Sequence, residues 1–230
     1  WDLRHSEAER FEGMILWSGD LRGPRVVPGS YQVHLIAGDD SFSQAFVVLK
    51  DPRSTASQED LRKQFELLIA IRDRVSEANG AVEQIRDINA QIDDAVKKAD
   101  GESYHGTLAE AAEPINEKLK EIEQTIYQTK NRSRQDPLNF PIRLNNKIAA
   151  VTRVVASADA PPTDASSALF AELSARLQVQ LDRLAAVIRD DIPAFNAKVA
   201  EYAVPAVIVR DRGAKETREA ATSAGGGSDK

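Results

Sequence analysis

The hydrophobic pattern changes period once along the chain. Tyr31, Val33 and Leu35 alternate with Gln32 and His34, which predicts a strand with one buried face. Gly38-Asp39-Asp40 supplies a turn, and Phe42 to Leu49 returns as the partner strand. Upstream, Trp1 to Arg4 and Met14 to Trp17 are short apolar runs that read as two further strands, punctuated by Gly23-Pro24 and Pro28-Gly29. After Asp51-Pro52-Arg53 the apolar spacing becomes three and four, the signature of helices.

The first helix starts at the N-cap Ser57, with Glu59 and Asp60 in its first turn, where acids suit the helix dipole. Leu61, Phe65, Leu68, Arg72, Val75, Asn79, Val82, Ile85, Ile92 and Val96 trace its seam, and Gly101 closes it. About forty residues make a helix roughly 60 Å long, with a bend expected at Asn79-Gly80. A second helix is predicted from Thr107 to Lys130, with Leu108, Ile115, Leu119, Ile122 and Ile126 inward and Pro114 as a kink or the true start.

The tightest local grammar lies in DPLNFPIRLNNKI, Asp136 to Ile148. Asp136 reads as an N-cap, Phe140 is pushed out of the α region by the proline after it, and a third helix is expected to start near Pro141. That helix buries Leu144, Ile148, Val151 and Val155. Ala160-Pro161-Pro162 stops it, and Thr163 or Asp164 caps a fourth whose seam is Leu169, Leu173, Leu177, Leu181, Leu184 and Ile188. Pro193 should kink or restart that helix, with Asp190 or Asp191 as a local cap and Phe195 and Val199 continuing inward.

These elements predict an α+β chain, mostly α: an up-and-down four-helix bundle preceded by a small, incomplete Ig-like β-module. The divisions fall at 1–50 (β-module), 51–56 (junction), 57–203 (bundle) and 204–230 (a charged, Gly/Ser-rich disordered tail). Within the last, Pro205 to Val209 is an apolar run that could pair with the sheet. A hairpin this small exposes an edge, and the expectation is that strands before Trp1 complete it.

Composition narrows the function classes. Thirty basic against thirty-six acidic residues give a net charge of −6 without a basic block, which argues against nucleic acid. There is no cysteine, so no disulfide or thiolate metal site exists. No apolar run is long enough to span a bilayer. The chain opens on Trp1 with neither initiator Met nor signal peptide, which reads as a fragment or processed product.

Candidate chemistry is sparse. His5, His34 and His105 fall on separate elements and do not form a metal-ligand spacing. Asp39-Asp40, Asp93-Asp94 and Asp190-Asp191 are adjacent pairs that point apart, unlike glycosidase carboxylates facing each other across a sugar. Lys130, Arg132 and Arg134 fit a helix C-terminus better than an anion site. Asn139, Asn145 and Asn146 could bind a partner or satisfy loop backbone. Phe65, Phe140, Phe170 and Phe195 read as core rather than a ligand cage. The prediction is no catalytic, cofactor-binding or metal residue, and no cofactor.

GPRVVPGSYQVHL, Gly23 to Leu35, preceded by WDLR, resembles the closing half of a small Ig-like or fibronectin-type domain of the kind also found in flagellar hook-capping proteins. The resemblance implies that Tyr31 packs a sandwich. DPRSTASQEDLRKQFELL, Asp51 to Leu68, followed by QDPLNFPIRLNNKI, resembles the C-terminal region of large bacterial proteins with sortilin-like or BNR-repeat β-propellers, often labelled glycosyl hydrolases. Here the propeller is absent, and no Asp-box sequence occurs.

The resemblance implies a non-catalytic structural and interaction region of an exported protein, periplasmic or extracellular. Its expected partners are the rest of its own chain or a second copy. The alternatives are part of a propeller glycoside hydrolase whose catalytic residues lie elsewhere, and a free-standing helical adaptor.

Overall fold

The computed structural model describes residues 1–210. The protein is mostly helical, with a two-stranded antiparallel sheet among the described residues. The helices are α1 (Gln58–Lys98), α2 (His105–Ile126), α3 (Leu144–Val155), α4 (Asp164–Ala186) and α5 (Ile192–Glu201). The strands are β1 (Gly29–Ala37) and β2 (Asp40–Val48).

α1 is the axis of the helical body, packing against α2, α3 and α4. Its start is specified locally by a reciprocal capping box: Ser57 Oγ accepts from the Asp60 amide at 3.1 Å, and the Asp60 carboxylate accepts from the Ser57 amide at 2.9 Å. Of the predicted seam, Leu68, Val75, Asn79, Val82, Ile85 and Ile92 are buried while Leu61, Phe65, Arg72 and Val96 are only partly so, and the seam is too narrow. Ile71, Ala78, Ala81, Ile88 and Ala95 are buried as well, because a helix covered on several sides needs a wider apolar arc than a two-helix seam. The helix runs through Asn79-Gly80 as one element. It ends at Ala99, and Gly101 follows in the left-handed region at φ +83°.

α2 begins at His105 and carries Pro114 in its interior. It stops four residues short of the predicted Lys130 because Tyr127 turns extended, buries its ring edge-on to Phe11 at 4.8 Å, and accepts the Ile15 amide on its hydroxyl at 3.0 Å. α3 starts at Leu144, not near Pro141, and buries the four predicted residues. The expected cap Asp136 instead opens a short 3-10 turn, Asp136–Leu138. Its carboxylate reaches backwards to accept from the Arg132 and Ser133 amides and the Ser133 hydroxyl.

Thr163 caps α4, its hydroxyl accepting from the Ser166 amide. The kink expected at Pro193 is absorbed by a π-helical turn, Val187–Asp191, that joins α4 to α5 without loss of helical backbone angles. The Ile192 amide bonds to the Val187 carbonyl, so the extra residue takes up the hydrogen bond that Pro193 cannot make. With no orphan amides to satisfy there, Asp190 and Asp191 do not cap. They pair with Arg189 and Lys118, each at about 2.7–2.8 Å.

The largest departure from the sequence expectation is upstream of β1. Trp1 to Arg4 and Met14 to Trp17 are not strands of a module. Segment 3–8 doubles back on 21–26 through the Arg4–Arg25 bridge and the bonds His5 N to Pro24 O and Ala8 N to Leu21 O. The loop then lies on the helices. Ala8, Phe11 and Leu21 belong to the same buried cluster as the helical core, which therefore crosses the division drawn at residue 50.

Pro205 to Val209 does not pair with the sheet. Val207 is buried, and the run is held against α1 and α5 by side-chain amides. The predicted tail lies outside the described residues from 211 on.

Candidate functional site

The hairpin formed by β1 and β2 is nine residues per strand, paired from Gly29↔Val48 to Ala37↔Asp40, with Gly38 at φ +63° in the tight loop. Positive φ at that position is what a two-residue hairpin loop requires of a glycine. The register places Tyr31, Val33 and Leu35 on one face beside Phe46, Gln44 and Phe42. The opposite face carries Ser30, Gln32 and His34 beside Val47, Ala45 and Ser43, and the His34 ring shares a hydrogen bond with the Ser43 hydroxyl.

One face is thus apolar and the other mostly polar, as in a sheet that covers a core. The cover is missing. Neither strand makes an extensive contact with a helix, and Val33, Leu35 and Phe42 are 52%, 61% and 59% exposed. The predicted buried face therefore does not exist within the described residues, because the helical body fills its own core from the loop 5–22 and leaves the hairpin projecting.

Only the base of the face is organised. Trp1 sits 6.2 Å from the Tyr31 ring and 6.1 Å from Phe46, and Tyr31 and Phe46 stack at 5.9 Å. The Tyr31 hydroxyl donates to Val27 O, and partial burial raises its pKa. The stem is tied to α1 through Gln58 Nε2, which donates to Pro28 O, and through Lys50 Nζ, which donates to Ala56 O at 2.8 Å.

Charge is distributed along the hairpin's length. Asp39 and Asp40 sit at the tip, and neither carboxylate has a hydrogen bond or ion pair among the described residues. The base borders a cleft of about 580 Å³ between the doubled N-terminal segment, α1 and α3. Arg4, Arg22, Arg25, Lys50 and Arg153 line it, together with Asp20, Asp51 and Asp159. Arg22 is paired with Asp20 at 2.7 Å, which holds the Asp20 carboxyl below its ordinary range, and Arg4 donates to Gly23 O. Arg25 has no such partner among the described residues.

The other residues considered from sequence are not brought together. The His5 ring lies 5.0 Å from Phe65, His34 is on β1, and His105 opens α2. Among the described residues no group of three His, Asp or Glu side chains is placed to hold a metal ion. Asp93 meets Asn116 at 3.4 Å and Asp94 pairs with Lys98. Lys130 lies over the Phe140 ring, and Arg132 donates to Thr129 O. Phe195 is fully buried, and Phe170 packs on the core edge.

Asn145 and Asn146 are buried and internally satisfied. Asn145 Nδ2 donates to Asn79 Oδ1 at 3.1 Å, and Asn79 Nδ2 donates to Glu9 O at 2.6 Å. The Asn146 amide accepts from the Trp17 amide at 2.6 Å and donates to its carbonyl at 2.7 Å. Asn196 clamps Val207, and Gln91 clamps Ile208, in the same two-point manner. Asn79 fell on the α1 seam by its spacing, as Arg72 did; Gln91 and Asn196 carried no such signal.

No family model, curated protein or solved structure matches the chain.

Proposed function

We propose that this chain is a non-catalytic structural and interaction region of a larger exported protein. In this reading the helices form an up-and-down four-helix bundle that serves as a rigid base. The hairpin with its Tyr31–Phe46–Trp1 cluster is an incomplete Ig-like element through which the base docks or spaces its partner. The observation that carries the reading is a projecting hairpin whose apolar face is uncovered, on a helical body with a buried core of its own. The resemblance of the DPR junction and the DPLNFP stretch to the C-terminal regions of β-propeller proteins supports the attachment to a propeller and a periplasmic or extracellular location.

The test is release of reducing sugar ends from a panel of oligosaccharides by the purified chain. No release above buffer is expected. Hydrolysis that survives repurification would replace this reading with that of a glycoside hydrolase.

A further inference from the structure

We propose that the apolar face of the hairpin is a two-fold interface with a second copy of this chain, the two hairpins stacked face to face with tip against base. The proposal rests on the reading of the chain as an interaction region and names the surface and the partner.

Four observations point to a second copy. First, the face is the more apolar of the two: Tyr31, Val33, Leu35, Phe42 and Phe46 stand on it with Gln44 and Asp40, while the other carries Ser30, Gln32, His34, Ser41 and Ser43 with Ile36, Ala45 and Val47. A two-stranded hairpin is marginal in water unless that side is covered. Second, residues 211–230, DRGAKETREAATSAGGGSDK, contain no Val, Leu, Ile, Met or aromatic residue, so these residues have no large apolar side chain to lay on it.

Third, the face is self-complementary about its centre. The strands are roughly 30 Å long at about 3.4 Å per residue. A two-fold axis near Val33 and Gln44 sets Leu35 and Phe42 of one copy on the aromatic base of the other, where Trp1 is still 73% exposed. Fourth, the charges favour that orientation over tip against tip. Asp40 shares the apolar face at the tip with no partner, and Arg25 at the base has none either. Stacking tip to base brings unlike charges together, whereas tip to tip would crowd four carboxylates on a chain already at net −6.

The exposed parts of Trp1, Val33, Leu35 and Phe42 come to on the order of 500 Å² per copy, taking 150–250 Å² for each full aromatic side chain. A pair would bury about 1,000 Å², the lower edge of a specific interface, so the dimer is expected to be reversible.

The experiment is sedimentation equilibrium of the full chain over a concentration series through the micromolar range. The comparison set is the double variant Leu35→Asp with Phe42→Asp, the single variants Asp40→Arg and Arg25→Asp, and those two charge changes combined. Wild type is expected to dimerise and the Asp double variant to remain monomeric with an unchanged thermal melt. Each charge variant should raise the dissociation constant roughly tenfold, and the combination should restore it. A monomeric wild type overturns the proposal and leaves the face to a different partner. A dimer that persists in the Asp double variant moves the interface elsewhere, and failure of the combined charge variant to recover overturns the tip-to-base arrangement. Glycan hydrolysis, which would sink the functional reading, is a separate readout from all of these.

Discussion

Asn146 shows how one side chain can replace a strand. Its amide has a donor and an acceptor spaced like those of a peptide group, so it pairs with both backbone groups of Trp17 and closes a ring. Removing it leaves a half-buried N–H and C=O without partners. Asn146→Ala is expected to cost about 1–3 kcal/mol, read by urea denaturation, and to speed hydrogen exchange at the Trp17 amide. Unchanged exchange there would mean the clamp is not holding the loop. Asp136 acts by charge rather than shape. The Arg132 amide first, then the Ser133 amide and hydroxyl, hold its carboxyl below the ordinary 3.8. A carboxyl lowered on folding contributes stability that is present above its unfolded value and lost as pH falls through the folded one. Asp136→Asn should therefore flatten part of the acid limb of a stability–pH curve below about pH 4 and leave the neutral plateau little changed in slope. An acid limb identical to wild type would contradict this.

At the scale of elements, the ends of α1 and α4 follow from their own sequences, while the ends of α2 and α3 do not. Ser57 and Thr163 carry their caps with them. Tyr127 leaves α2 because Phe11 and Ile15, more than a hundred residues earlier, offer its ring and hydroxyl a better site than another helical turn. The doubled segment 3–8 with 21–26 depends on one close approach. A Cβ on Gly23 would stand 2.0 Å from the His5 carbonyl oxygen and 2.4 Å from that of Ser6, both backbone atoms that cannot swing away. Gly23→Ala is expected to part the two arms, lose the bond from His5 N to Pro24 O, and cost about 3 kcal/mol in chemical denaturation. A melt equal to wild type would show that the arms are not packed this closely.

For the whole molecule, the two parts of segment 1–50 have opposite fates. Ala8, Phe11 and Leu21 are core, whereas the hairpin is an appendage. Replacing Ser30–Val47 by a short Gly/Ser linker should leave the melting temperature nearly unchanged, while deleting residues 1–22 should abolish cooperative unfolding by exposing the apolar ground under Phe11 and Leu21. Differential scanning calorimetry of the two deletions separates the roles. If removal of the hairpin destabilised the chain as much as removal of the N-terminal loop, the hairpin would be part of the core after all. The net charge of −6 has no counterpart in the fold itself. A net charge of this size repels like copies, so association through a surface with few charges costs less than through a charged one.

Periodicity determined that the chain is mostly helical with a hairpin, and which apolar residues of α2 and α3 point inward, because those features depend on spacing within a single element, and Gly38-Asp39-Asp40 marked where the hairpin turns. Local capping chemistry likewise determined where α1 and α4 begin. Tertiary structure decided the rest. It widened the buried arc of α1 by surrounding that helix, and it turned the apparent strands 1–4 and 14–17 into a loop laid on the helices. It spent the amides of Asn79, Asn146, Asn196 and Gln91 on backbone far away in sequence. Above all, it left the apolar face of the hairpin without a cover. An alternating strand states that it has a face to bury, but what buries it depends on which other surfaces compete for the same place.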